Sequence, residues 1–322
     1  MAFFSVIIPN YNTECFIVRC LKALEQQTFK DFEVIIIDDC STDNSVEIIR
    51  QFIAQTFIPI TLLRNRINLG PAKTREEGLR HCKGRYVAFC DSDDWYDFDY
   101  LQAVYDRLRK AQTDIVFVGY KTVHLNGQLQ KKQTHPIPQL SENPVKAEVL
   151  KLPVDSLCSL VIKTDVIQKI DMPNIRNGED MALIPILICA SDSYATVNIC
   201  PYNYLYRRGS ASLTANMRVV DSLIESYNYI FNTLSENYPV ECEYLGIRNL
   251  LYAALLNLFK FSFDTQKADR IISDFSERYP NWKNNPYFTQ LPQYKKCLIL
   301  TATNGCYVLT TLLARIHTLL TR

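Results

Sequence analysis

Between residue 3 and about residue 118, short β-branched runs alternate with longer stretches of helical character, and this alternation limits the fold more than any other feature of the sequence. The runs are Phe3 to Ile8, Phe32 to Asp38, Ile58 to Arg64, Tyr86 to Cys90 and Asp114 to Val118. Branched side chains suit a pleated, buried surface, and parallel strands need a crossover between them, so the pattern predicts βαβ units and a mostly parallel α/β sheet. Local chemistry agrees: Ser41 and Asp43 are candidate N-caps before SVEIIRQFI, and Pro71 opens PAKTREEGLRHC, which should end near Lys83-Gly84. With 322 residues the chain has room for one large α/β domain and a helical extension.

The remaining sequence fills in that plan. Residues 119 to 153 turn polar around HPIPQLSENP and predict a hairpin and surface loop, and Leu157 to Ile162 then resumes the sheet. After about residue 213 the periodicity is helical, in VVDSLIESYNYIFNTL, YLGIRNLLYAALLNLFKF and ADRIISDFSERY. Cys297 to Ala314 carries no formal charge between Lys295, Lys296 and Arg315, but its four Thr, one Asn and one Gly make it too polar for a membrane span. Two readings stay open there, a helix packed on the core and an interfacial helix against an anionic membrane. The opening MAFFSVIIPN reads as the first strand, since its apolar run stops at Pro9 and has no basic leader.

Charge and cysteine usage exclude some classes. With 35 Lys+Arg against 34 Asp+Glu there is no polyanion-binding balance, so nucleic acid is not the expected partner. The eleven cysteines form no CxxC pair and read as reduced core residues of a cytosolic protein rather than zinc ligands.

In open α/β sheets ligands gather beyond the carboxyl ends of the strands, and acidic residues stand there twice. One strand runs into Asp38-Asp39, a pair that could equally cap the following helix. Another runs YVAF into Cys90 and then Asp91-Ser92-Asp93-Asp94. Three carboxylates within four residues repel one another, and Mg²⁺ or Mn²⁺ bridging them to phosphates is the economical compensation, the alternative being a solvated acidic turn that caps the helix near Tyr96. Arg75, in a helix between the clusters, could grip a diphosphate or could be solvated. Asn177-Gly178-Glu179-Asp180 precedes the apolar MALIPILICA. There Asp180 either answers the helix dipole or serves as a general base.

Taken in order, SVIIPNYN, IIIDDCSTDNS, NLGPAKTRE, GRYVAFCDSDDW, GED and YLYRRGSAS resemble family 2 glycosyltransferases of the GT-A fold over residues 3 to 212. The resemblance implies a GT-A nucleotide-binding sheet with flanking helices in a catalytic domain of residues 1–212. A helical extension follows at 213–322, with 295–322 as the membrane-interfacial candidate. It implies that Pro9 and Tyr11 wall the donor base, that Asp39 accepts from a uracil ring and that Arg75 contacts diphosphate or base. Asp91 and Asp93, flanking Ser92 in the donor site, would hold Mn²⁺ or Mg²⁺, with Asp94 in support. Asp180 would be the base of a single inverting displacement, and Arg207, Arg208 and Ser210 would close over the diphosphate. The implied partners are a UDP-sugar donor and a saccharide or lipid-linked saccharide acceptor, in bacterial surface polysaccharide or glycolipid assembly; the C-terminal segment leaves two locations open, the cytoplasm and the inner face of the cytoplasmic membrane.

Two positions depart from the family pattern: Cys40 stands where Gly is common, and Glu76 where Asn is common. The rival readings are a catalytically silent nucleotide-sugar-binding protein of this fold and a sugar-phosphate nucleotidyltransferase. The latter should carry a Gly-rich loop where this chain has PNYNTE. A dehydrogenase would need GxGxxG, which is absent, and without a QxxRW motif one sugar per encounter is expected.

Overall fold

The computed structural model describes residues 2–134, 146–152, 154–175, 178–207 and 217–320. The strands are β1 (Phe4–Asn10), β2 (Phe32–Asp38), β3 (Ile60–Arg64), β4 (Tyr86–Phe89), β5 (Trp95–Tyr96), β6 (Ile115–His124), β7 (Leu129–Gln133), β8 (Leu160–Lys163) and β9 (Tyr194–Tyr206). The helices interleaved with them are α1 (Ile17–Glu25), α2 (Ser45–Ile53), α3 (Pro71–His81), α4 (Tyr100–Lys110), α5 (Lys146–Leu150), α6 (Thr164–Ile167) and α7 (Glu179–Ala190). By contacts the chain divides into one compact unit of residues 1–176 and 183–208 and a second of 177–182 and 209–322.

In the first unit the strands lie in the order β3-β2-β1-β4-β8-β6-β9-β5, with β7 paired to β6. The predicted parallel pattern holds from β3 to β4. Beyond β4 the sheet is mixed, because β8 enters antiparallel to both β4 and β6, while β9 runs parallel to β6 and antiparallel to β5. The strand–helix alternation in the sequence runs one strand further, to β6, which pairs antiparallel with β8 and parallel with β9.

Register brings the acidic segments to one edge. Ile7 pairs with Ile35 on one side and with Phe89 on the other, so Asp38-Asp39 and Cys90-Asp91 leave the sheet at the same end of their strands. Phe4, Val6, Ile7 and Ile8 are all fully buried, as a central parallel strand covered on both faces requires. Helix α3 lies close over β1 and β2. A Cβ at Gly78 would stand 2.7 Å from both Ile37 and Ile7, so glycine permits that approach and seats Arg75 one turn earlier.

Other boundaries differ from expectation. The N-cap of α2 is Asn44, not Ser41 or Asp43. Asp43 instead accepts from the amides of Ser45 and Glu14, and Ser41 Oγ from the Asn12 amide. The hairpin expected after residue 118 forms as β6–β7, turning at Gly127 with φ 81°.

The second unit contains α8 (Met217–Leu234), α9 (Pro239–Gly246), a π-helical stretch at Ile247–Ala254, α10 (Leu255–Phe261), α11 (Thr265–Arg278), α12 (Gln293–Thr303) and α13 (Tyr307–Leu320). Its helices pack around Tyr227, Leu251, Leu255, Leu258 and Phe275. The uncharged run Cys297 to Ala314 is not one helix: Gly305, at φ 72°, breaks it between α12 and α13. No described helix is long and apolar enough to cross a membrane. Helix α13 keeps Ala314 and Thr310 inside and exposes Val308, Leu309, Leu312 and Ile316.

Candidate active site

At the edge where β1 and β2 end, the two adjacent aspartates do different work. Asp38 is fully buried and accepts from Asn10 Nδ2 (2.8 Å), the Ser41 amide (3.0 Å) and Arg64 Nε (3.2 Å). It ties together three chain segments. Asp39 takes Asn65 Nδ2 and the Leu69 amide on Oδ1 (2.8 and 2.9 Å) and the Gly70 amide on Oδ2 (2.8 Å). It therefore holds the loop that leads into α3. A carboxylate has about four lone-pair sites, so one on Oδ2 remains for a further donor. Neither residue caps α2, and the capping alternative for this pair does not hold. Cys40 turns the chain at φ 65°, the left-handed conformation that glycine adopts without strain. Pro9 lies in β1 opposite Ile37, and Tyr11, just past the strand, is 47% exposed.

Arg75 is not solvated: it is 4% exposed and its Nη2 donates to Asp91 Oδ1 at 2.8 Å. Glu76 faces away from that contact, pairing with Lys73 and Arg80 on its own helix.

The turn after β4 is held from several sides. Asp94 is buried and accepts from the Tyr202 hydroxyl (2.5 Å) and the Leu205 amide (2.7 Å), both on β9. The Tyr202 hydroxyl in turn accepts from the Asp91 amide at 3.3 Å. Arg19 on α1 stacks its guanidinium 3.8 Å above Trp95 and donates from Nη2 to the Asp93 carbonyl at 2.9 Å. Arg207, one residue past β9, directs Nε and Nη2 at Asp93 Oδ2 (2.9 and 2.8 Å) and lies over the Phe16 ring. Ser92 is buried, whereas the Asp91 and Asp93 side chains are 34% and 21% exposed.

The electrostatics follow from that packing. Burial pushes the Asp93 carboxyl above the usual range, the charge of Asp91 adds to it, and Arg207 opposes both. Asp94 is pushed well up by burial and then by Asp93 and Asp91, against its hydrogen bonds from Leu205 and Tyr202. The turn thus presents two partly exposed carboxylates on a rigid base, and the third belongs to the base. Among the described residues, no group of three or more His, Cys, Asp or Glu side chains is arranged to hold a metal ion.

Arg19, Tyr202 and Leu205 were not foreseen. Arg19 sits in a helix without a motif, and the sequence predicts no strand over the β9 segment, whose end enters only through the motif YLYRRGSAS. Asp180 is the second residue of α7, after Gly178 at φ 84°, and it falls in the second unit. Gly178 is fixed there by Ser226, whose hydroxyl donates to its carbonyl at 2.9 Å. Arg208 and Ser210 lie outside the described residues.

Comparison with known proteins agrees with this architecture. Glycosyltransferase GlyA of Streptococcus pneumoniae serotype 4 is 26% identical over 79% of this chain, which spans 38% of GlyA. TarS of Staphylococcus aureus (strain Mu50), a poly(ribitol-phosphate) beta-N-acetylglucosaminyltransferase, is 33% identical over 41% of this chain and 24% of its own length. The chain therefore spans well under half of either relative. The crystal structure of S. aureus TarS 1-349 in complex with UDP-GlcNAc has the same fold, with a TM-score of 0.68 over 99% of this chain and 92% of that one, at 20% identity. The sequence profile of glycosyl transferase family 2 matches residues 5–170, more than half of the chain, and the chain belongs to that family.

Proposed function

We propose that this protein transfers a single sugar from a UDP-sugar to an acceptor hydroxyl, with inversion at the anomeric carbon, in the assembly of a bacterial surface polymer or glycolipid. The observation that carries this reading is the division of labour in the acidic turn: Asp94 is buried as a strut, and Asp91 and Asp93 stay partly exposed beside one another. The two fit a divalent cation, Mn²⁺ or Mg²⁺. They are hard oxygen donors, and their mutual repulsion, felt in the raised Asp93, is relieved by positive charge. With two carboxylates available, the remaining ligands would be diphosphate oxygens and water. When bound, such a cation neutralises the departing diphosphate.

The chain's own residues take the other roles. The remaining lone pair of Asp39 accepts from the uracil ring, with Pro9 and Tyr11 as walls of that pocket. Arg75, fixed by burial, orients Asp91 and lends positive charge beside the diphosphate. Asp180, at the N-terminus of α7, accepts the acceptor hydroxyl proton. The acceptor oxygen then bonds to the anomeric carbon as the bond to the diphosphate oxygen breaks, and UDP leaves. The donor assignment draws on TarS, whose structure holds UDP-GlcNAc, and a Mn²⁺ role draws on a mannosyltransferase of this fold bound to GDP-Man and Mn2+.

The acceptor side includes a membrane. The exposed apolar stripe of α13, with Lys295, Lys296 and Arg315 on α12 and α13, suits the cytoplasmic face of an anionic bilayer and a lipid-linked saccharide. The test of the function is a panel of nucleotide-sugars scored for Mn²⁺-dependent, EDTA-sensitive nucleotide release, with and without saccharide acceptors. Turnover of one UDP-sugar, lost in Asp93→Ala, supports the reading. Binding of UDP-sugar without turnover, with every acceptor tried, would favour the silent binding protein.

A further inference from the structure

Every carboxylate of the acidic turn has its own partner: Arg75 for Asp91, Arg207 for Asp93, and Tyr202 with the Leu205 amide for Asp94. These partners differ in how firmly they are fixed. Arg75 is 4% exposed and rises from the middle of α3, so it is enclosed where it meets Asp91. Asp94 is held by a strand. Arg207 is 28% exposed, stands just beyond the last residue of β9, and lies over the face of Phe16 at 5.1 Å.

The form of the Arg207 contact matters as well. Nε and Nη2 converge on one oxygen, Oδ2, rather than spreading over both as a fork-to-fork pair would. The guanidinium therefore places its charge on the carboxylate that a divalent cation would share with Asp91. A cation entering there with Arg207 still in place would meet a positive charge within a few ångströms, in a setting where burial limits screening.

We infer that Arg207 is the resident counter-ion of Asp93 and competes with the divalent cation, giving up the carboxylate only as cation and nucleoside diphosphate arrive together. The inference rests on the reading of Asp93 as a cation ligand. It makes cation and nucleotide cooperative. Alone, the cation must displace Arg207 into water; with the nucleotide present, the displaced guanidinium has phosphate oxygens to pair with. By linkage, the nucleotide tightens the cation by the factor the cation tightens the nucleotide.

The test is a Mn²⁺ titration followed by the electron paramagnetic resonance signal of the free ion, on wild type, Arg207→Met, Arg207→Lys and Asp93→Asn, each with and without UDP. Circular dichroism melts confirm that the variants are folded. Without UDP, Arg207→Met is expected to bind Mn²⁺ about two- to fivefold more tightly than wild type, the span of a partly exposed ion pair. Arg207→Lys should fall between, and Asp93→Asn should lose binding. The tightening of Mn²⁺ by UDP should be smaller in Arg207→Met than in wild type. Equal or weaker Mn²⁺ binding by folded Arg207→Met would overturn the counter-ion assignment while leaving the cation site standing. No Mn²⁺ binding by wild type, even with UDP, would remove the cation site itself and the inference with it.

Discussion

Asp94 and Tyr202 share a 2.5 Å hydrogen bond that joins the acidic turn after β4 to β9. The same hydroxyl accepts from the Asp91 amide, so one side chain braces both ends of the turn. Tyr202→Phe leaves the buried Asp94 with the Leu205 amide but without its hydroxyl donor. We expect a loss of about 1–3 kcal/mol in denaturant unfolding, the usual cost of depriving a buried acceptor of its partner. Metal-dependent UDP affinity should fall with it, because Asp91 moves with its amide.

Asp180→Asn separates binding from chemistry. Turnover should drop by roughly 10² to 10⁴, the usual contribution of a general base, while UDP affinity measured by calorimetry stays near wild type. Unchanged turnover would place the base elsewhere.

Cys40 carries a left-handed backbone at φ 65°. Replacing it with glycine relieves a cost of about 1 kcal/mol, part of which glycine returns as unfolded-state entropy. Cys40→Gly should therefore melt at or slightly above the wild-type temperature, and Cys40→Val clearly below it. The reverse order would mean that the side chain's packing outweighs backbone strain here.

Asp43 gives the loop before α2 a pH dependence. Burial pushes its carboxyl up, but hydrogen bonds from Ser45 and the Glu14 amide outweigh that and hold it below the usual value. A carboxyl depressed in the folded state adds stability above its unfolded pKa of about 3.9 and loses it as pH falls through the folded value. Asp43→Asn should thus be less stable than wild type at neutral pH, with the gap closing below about pH 4 in melts recorded across pH.

The exposed stripe of α13 has a direct readout in vesicle co-sedimentation. Wild type should pellet with vesicles rich in anionic phospholipid and less with neutral ones, and Leu312→Glu should reduce pelleting without changing UDP binding. Equal recovery in the supernatant for all vesicles would remove the membrane from the account.

The parallel half of the fold was legible because β1, β2 and β4 are almost wholly buried and their apolar runs are continuous, while β3 at the edge is half-exposed but still β-branched. The acidic turn was legible because three clustered carboxylates are costly without a reason. What lay beyond reach came from distant pairings. β9 mixes buried and exposed residues along thirteen positions without a clean alternation and contains Pro201 and two asparagines, which dilute its strand signal. Its partnership with the turn, through Tyr202, Leu205 and Arg207, depends on tertiary register. Asp38 and Asp39 look equivalent in sequence, and only the loops that fold over them separate the structural carboxylate from the one with a free acceptor site. The break between α12 and α13 was written in Asn304-Gly305, a helix-stop signal masked by the uncharged run around it.

The most direct test of the central claim is a calorimetric titration of UDP into the wild-type protein in Mn²⁺ and again in EDTA, repeated with Asp93→Asn. The account predicts binding in Mn²⁺ that is lost or strongly weakened by EDTA and by the substitution. Equal UDP affinity in all three conditions would contradict it.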